Sequence, residues 1–263
     1  MIFLQKNQTL CAALLLVFGL SACMEVSNGL PVERSLNNTA HGYKIISSPT
    51  RKGEQSQRFE VRPGDCGRDF KWSDCDVGSE RSEVAAKQQW HHGDDVWIGF
   101  SIYVPPNIPK ANTWTTIGQI HQNDVKMTAP DGSTKSPNHM QFAMSGNDLE
   151  LAVWSQTEQG AHAESYYLRS IKSMEGKWTD IQWRFDTKNS NGDLEIWMDD
   201  RLVKRLSDTV TVKPSSYYFK YGIYRAGLKR LAAPIPTQVV IYDEVRIGST
   251  REAVNVRSLP AVD

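Results

Sequence analysis

Residues 180–203, DIQWRFDTKNSNGDLEIWMDDRLV, decide the fold. Ile181, Trp183 and Phe185 alternate with Gln182, Arg184 and Asp186, the period of a strand with one buried face. Asn191-Gly192 supplies a hairpin turn into Leu194–Met198, and Asp199-Asp200 turns the chain again into Arg201-Leu202-Val203. The same alternation recurs on either side. Phe100, Ile102 and Val104 alternate with Ser101 and Tyr103 before the stop at Pro105-Pro106. Leu149, Leu151 and Val153 alternate with Glu150, Ala152 and Trp154, and Gln238–Ile247 (QVVIYDEVRI) makes a further strand. No segment carries the 3.6-residue period of an amphipathic helix. Many short strands joined by turn residues predict an all-β sandwich or jelly roll.

Composition sets the outer bounds. The 263 residues carry 30 Lys+Arg and 30 Asp+Glu, are 40% hydrophobic, and include 18 Gly, 12 Pro and 8 Trp. That is globular composition, which excludes a disordered tail, a collagen and a multi-span membrane protein. A formal net charge of zero argues against nucleic acid as the partner, while leaving room for a local cationic groove.

The N-terminus reads as an address. In Met1–Ala22 the only charge is Lys6, and Leu10–Leu20 (LCAALLLVFGL) is too short to span a bilayer comfortably. Leu20-Ser21-Ala22-Cys23 resembles the bacterial lipobox, which implies cleavage before Cys23, lipidation of its thiol and membrane attachment. Met24, where Asp would retain the protein at the inner membrane, is similar to lipoproteins of the Gram-negative outer membrane. Residues 1–22 are thus expected to be signal peptide, 23–48 a lipidated N-terminus and linker with an edge strand, and 49–263 one sandwich domain. Cys66 and Cys75, in GDCGRDFKWSDCD, are expected to close a small loop by a disulfide, because two cysteines without a nearby His pair do not complete a zinc set.

Three segments carry the candidate chemistry. In Arg81-Ser82-Glu83, the first and last residues share a strand face, which lets the carboxylate hold the guanidinium. In Gly118-Gln119-Ile120-His121, Gln119 and His121 share a face and Ile120 goes to the core. In Tyr217–Arg225 (YYFKYGIYR), Tyr217, Phe219, Tyr221 and Ile223 make one face, and Tyr218, Lys220 and Tyr224 the other. Gly222 leaves open space beside Lys220 and Tyr224, as a ligand approaching a strand requires. Arg, Gln, His, Lys and Tyr on one concave sheet suit an anionic, hydroxyl-rich ligand. His139, Gln141 and Trp154 can reach the same groove from neighbouring strands. His91-His92-Gly93-Asp94-Asp95 reads as a solvated turn. The Asp243-Glu244 pair allows a structural calcium, although one carboxylate cannot supply six to eight oxygens.

RSE, QIH and YFK-x-GIY resemble the signature motifs of sandwich-fold alginate lyases. The wider pattern of RFEVRPGD, ERSE, GQIH, GKWTDIQWRF, GDLEIWMDDRLV, YFKYGIYR and IYDEVRIG, over about residues 58–248, is more similar to the heparin lyase I and glucuronan lyase group. The resemblance implies a concanavalin-like sandwich with a concave substrate groove and β-elimination of a 4-linked uronic-acid polysaccharide. It departs from alginate lyases at Val84-Ala85-Ala86, where those have Leu-Arg-Glu, and at Arg225-Ala226, where they have Asn-Gln.

Elimination removes the proton on carbon 5 beside the carboxylate and expels the sugar on oxygen 4. The carboxylate must first be neutralised, a role that Gln119 and Arg81 fill by type and by resemblance. In glucuronate and mannuronate the proton and oxygen 4 lie on one side, so Tyr224 serves as base and acid, its phenol made more acidic by Lys220 or Arg225. In iduronate and guluronate they lie on opposite sides, and His121 becomes the base. Glu83, Lys220, Tyr218, Arg225 and Gln141 are expected to bind substrate. Zero net charge favours an unsulfated, glucuronan-like chain over a densely sulfated one. A lectin-like lipoprotein and an alginate lyase are the alternatives. A laminarinase-like hydrolase is a further one, with Glu195 and Asp199 as its nearest carboxylate pair.

Overall fold

The computed structural model describes residues 25–27, 29–36, 39–135, 138–188 and 192–262. The signal peptide, Cys23 and Asn191 lie outside them. Seventeen strands, numbered in chain order, are described. One sheet has eight, in the order β1 (Glu25–Ser27), β2 (Leu30–Ser35), β5 (Glu80–Trp90), β16 (Tyr217–Arg225), β7 (Thr115–Gln122), β10 (Met140–Ser145), β11 (Asp148–Thr157) and β12 (Gly160–Ser170). The other has seven, in the order β15 (Arg201–Ser207), β14 (Asp193–Met198), β13 (Trp178–Asp186), β6 (Asp95–Tyr103), β17 (Gln238–Gly248), β4 (Ser56–Val61) and β3 (Tyr43–Ile46). β8 (Met127–Thr128) and β9 (Thr134–Lys135) form a separate hairpin, and Asp74–Val77 is a single helical turn, α1. Both large sheets are antiparallel throughout, giving a jelly-roll-like sandwich.

The meander of β13, β14 and β15 follows the alternation that predicted it. Ile181, Trp183, Phe185, Leu194, Ile196 and Met198 are all fully buried. Asp199 and Asp200 have φ of 51° and 64°, the left-handed pair of a tight hairpin turn. The two sheets close over an aromatic core in which Phe59 meets Tyr221 and Tyr242 edge-on, at ring separations of 5.6 and 5.5 Å. Two buried hydroxyls are served across the gap. Tyr221 donates to Gln57 Oε1 at 2.8 Å, and Tyr242 donates to the Ile117 carbonyl.

The expected edge strand is present as β3, at the edge of the seven-stranded sheet, but the expected linker before it is corrected. Residues 25–46 contribute β1, β2 and β3 to the two sheets, and Leu30, Val32 and Tyr43 are core residues. β1 and β3 lie at sheet edges and β2 next to one, so a polar segment with only a few core positions supplies what these strands must bury. Gly222 is also corrected. At φ 126° a Cβ there would lie 2.3 Å from the Ser82 carbonyl oxygen, so the glycine serves close strand approach at a bulge between β16 and β7, not open space for ligand.

Candidate active site

β5, β16 and β7 lie side by side, and their outward positions build one groove on the outer face of the eight-stranded sheet. Register brings the three motifs together. Tyr224 pairs with Arg81, Lys220 with both Ala85 and Gln119, and Tyr218 with His121. The resulting cavity, about 540 Å³, is lined by Arg81, Gln119, His121, Gln141, Tyr218, Lys220 and Tyr224 among others.

Under this floor lies Glu83, buried and shared by three partners. Its Oε2 takes Lys220 Nζ at 2.8 Å and Arg81 Nη1 at 3.2 Å, and its Oε1 accepts from Gln119 Nε2. Burial alone would raise the Glu83 pKa, but Lys220 and Arg81 outweigh it and hold the carboxyl below its ordinary value. Burial, assisted by Arg81, lowers the Lys220 pKa despite the Glu83 contact. Glu83 is therefore a support beneath the groove and not the substrate contact expected of it.

Arg81 is more committed than its sequence position suggests. Its Nε and Nη2 form a fork on Asp74 at 2.5 and 2.6 Å, and Nη1 reaches Glu83 and Ser35. Its guanidinium carbon sits 4.5 Å from the centroid of the Tyr224 ring, a cation–π contact. Burial works against the Arg81 charge, but Glu83 and Asp74 outweigh it and raise the pKa. The donors left for a ligand carboxylate belong to Gln119, whose second amide hydrogen remains, and to Lys220. Gln141 accepts from Thr116 Oγ1 at 2.9 Å and Asn138 Nδ2 at 2.6 Å, leaving its amide nitrogen as a donor.

The titrating pair differs from expectation in one respect. Burial raises the Tyr224 pKa, and the Ser79 hydrogen bond (3.1 Å) with the Arg81 charge offsets this only partly. The cation beside the phenol is Arg81, not Lys220 or Arg225, and the resting phenol is protonated. His121 packs on Tyr218 with centroids 5.1 Å apart, and its pKa falls to about 4 through burial and then Lys220. It is neutral at pH 7. Nδ1 accepts the Gln122 backbone N–H at 2.9 Å and also lies 3.1 Å from the Gln122 carbonyl; the first contact belongs to the tautomer with the proton on Nε2, and Nε2 is unprotonated only in the tautomer that donates to the carbonyl. Burial also pushes the Tyr218 phenol up to about 12.

Two expected groove residues are elsewhere. Arg225 follows the odd-numbered, inward face of β16, is fully buried, and pairs with Glu80 at 2.6 Å and with the Ile235 and Pro236 carbonyls. His139 precedes β10 and sits in the core against Phe185 and Tyr217, where burial lowers its pKa to about 4. Trp154 and Gln141 do line the groove. Asp74, Ser79, Trp72, Trp114 and Asn138 were not singled out by sequence.

Cys66 and Cys75 form the disulfide, with Cα atoms 5.1 Å apart. His91–Asp94 is a turn closed by the Asp94 N–H on the His91 carbonyl. Asp243 does not fit a calcium ligand set. Its carboxylate accepts the backbone N–H of Arg51, Lys52 and Glu244, and Glu244 pairs with Arg246. Among the described residues no three His, Cys, Asp or Glu side chains converge as a metal site. Glu195 binds Arg184 and Arg205 on the seven-stranded sheet, remote from the groove.

A sandwich whose groove sets an amide and an ammonium beside a neutral imidazole and a protonated phenol has the form of a lyase. A polysaccharide lyase family model matches residues 26–246, and the chain belongs to that family. It is an enzyme of the carbon–oxygen lyase type. The endo-β-1,4-glucuronan lyase of the fungus Trichoderma reesei superposes with a TM-score of 0.65 at 18% identity, covering 83% of this chain and 91% of that one. Alginate lyase A1-II′, of polysaccharide lyase family 7, gives 0.56 at 15% identity, covering 81% and 85%. Alginate lyase AlyC3 gives 0.51 at 11%, covering 74% and 75%. No curated protein sequence matches the chain.

Proposed function

We propose that the enzyme cleaves an unsulfated, 4-linked, glucuronan-like polyuronate by β-elimination. The observation that carries this reading is the convergence of Gln119, Lys220, His121 and Tyr224 in one cavity over the buried carboxylate of Glu83. Gln119 and Lys220 neutralise the uronate carboxylate, and Arg81 orients Tyr224 from behind through its ring contact. Lys220 and Tyr218 also line a second, more polar cavity of about 410 Å³ with Arg34, Lys87, Gln89 and Asn123, so bound chain extends past the reacting sugar. The likeness to a glucuronan lyase supports the choice of substrate.

On a glucuronate chain Tyr224 takes the carbon-5 proton and returns a proton to oxygen 4. For that it must first lose its own, a step the Arg81 charge and the Ser79 hydroxyl favour against burial. On a guluronate or iduronate chain His121, neutral at rest, accepts the proton on its unprotonated ring nitrogen, and Tyr224, protonated at rest, gives its proton to oxygen 4.

The test is incubation with glucuronan, alginate, hyaluronan, heparin and heparan sulfate, following ultraviolet absorbance of the unsaturated uronate. Absorbance is expected first with glucuronan. Binding without absorbance would favour a lectin-like module, and reducing sugar without absorbance a hydrolase. The pH profile separates the two stereochemical routes. If Tyr224 is the base, kcat/KM climbs as pH rises toward the phenol pKa. If His121 is the base, kcat/KM is lost as pH falls through about 4 and is flat above it until Tyr224, the acid, ionises at high pH.

We also propose that Cys23 carries a lipid that holds the enzyme at a bacterial outer membrane. Support comes from the lipobox alone. Cys23→Ser expressed in a Gram-negative host should move the protein from the membrane pellet to the soluble fraction; an unchanged distribution would sink the assignment.

A further inference from the structure

The loop closed by Cys66 and Cys75 is held on several sides. Asp69 accepts the backbone N–H groups of Lys71 and Trp72 at 2.7 and 2.8 Å, and returns its own N–H to the Trp72 carbonyl at 2.9 Å. The Trp72 indole donates to Asp74 Oδ1 at 3.0 Å, and Asp74 in turn is the carboxylate that forks Arg81. The indole is thereby fixed, yet it remains 47% exposed. It lines the same cavity as Tyr224, together with Trp114 and Trp154, whose rings meet edge-on at 6.3 Å.

Proton transfer and carboxylate neutralisation make no use of three indoles. Large apolar surface fixed beside polar groups in a groove marks a ligand contact, and Trp concentrates binding energy at such sites. A pyranose ring offers a matching apolar face of C–H groups, and Lys71, next to Trp72 on the groove wall, offers a cation for its carboxylate. The cavity is continuous with Tyr224 and Lys220, so the ring held there belongs to the chain being cleaved.

We propose that Trp72, with Trp114 and Trp154, forms an aromatic subsite that stacks a uronate ring beyond the two that flank the scissile bond, and that the Cys66–Cys75 loop exists to present it. The proposal rests on the reading of the substrate as a polyuronate. It makes Trp72 a determinant of chain-length preference, because short oligomers leave the subsite empty.

Trp72→Ala and Trp72→Phe are to be compared with the wild type on oligouronates of two to six sugars, reading KM and kcat by absorbance. Affinity for the same oligomers is read by fluorescence titration, whether or not they are cleaved. For the hexamer, Trp72→Ala should raise KM about tenfold with kcat within about twofold, leave the shortest cleaved oligomer unaffected, and be largely rescued by Trp72→Phe. Unchanged KM and affinity on the hexamer would overturn the subsite. So would an equal loss of kcat at every length, which marks a purely structural role through Asp74 and Arg81. Loss of hexamer affinity in Trp72→Ala without cleavage by the wild type would keep the subsite and sink the lyase substrate reading instead.

Discussion

Tyr224→Phe abolishes formation of unsaturated uronate, lowering kcat by about 10²–10⁴-fold, while thermal unfolding and substrate binding stay close to wild type. The phenol hydroxyl is the only group removed. It makes one hydrogen bond, to Ser79, and the ring that packs beneath the Arg81 guanidinium is retained. The loss should appear on every polyuronate the enzyme cleaves, because Tyr224 protonates the leaving oxygen by either stereochemical route. His121→Ala then divides the substrates. It should cripple turnover on guluronate or iduronate chains and affect glucuronate chains far less. A Tyr224→Phe enzyme that retains turnover would remove the phenol from the mechanism.

Glu83→Ala should destabilise the fold strongly. It leaves Arg81 and Lys220 buried beside one another, with Asp74 the carboxylate still paired to Arg81, and it frees the Gln119 amide. Breaking a buried ion pair from one side costs about 3–5 kcal/mol. For a domain of this size that lowers the unfolding midpoint by roughly 10 °C, measurable by calorimetry or circular dichroism. Glu83→Gln keeps the shape and an acceptor for Lys220, so it should recover part of the stability. Turnover should not recover, because Lys220 and Arg81 would then repel without a shared anion. A Glu83→Ala protein with an unchanged midpoint would show that Glu83 is not the hub of the groove floor.

The sandwich was legible because burial has a period. Alternation in 180–203 named the inward residues of β13 and β14, and alternation in Tyr217–Arg225 placed Tyr218, Lys220 and Tyr224 outward. The same parity points Arg225 inward, so its assignment to the groove was an error of reading and not of the signal. Other parts were not legible. β3 is an edge strand and β2 lies second from an edge, and both have few buried positions, so their composition resembles a linker. Asp74 and Ser79 contact Arg81 and Tyr224 directly, but it is the disulfide loop and strand pairing that bring them there, and nothing local in GDCGRDFKWSDCD says that its second-last acid grips Arg81. The Cys pair was the available signal, since a loop stapled next to the first motif had to lie beside it in space.

The pairing of Arg81 and Lys220 with Asp74 and Glu83 sets two positive charges against two negative ones in the floor of the groove. The field that projects from this floor into solvent is consequently weak. An approaching polyanion is guided little from beyond a Debye length, about 8 Å at physiological ionic strength, and recognition begins at contact. Added salt should therefore change the association rate only slightly, and the enzyme should keep working in brackish media where an enzyme steered by a bare cationic cleft would slow.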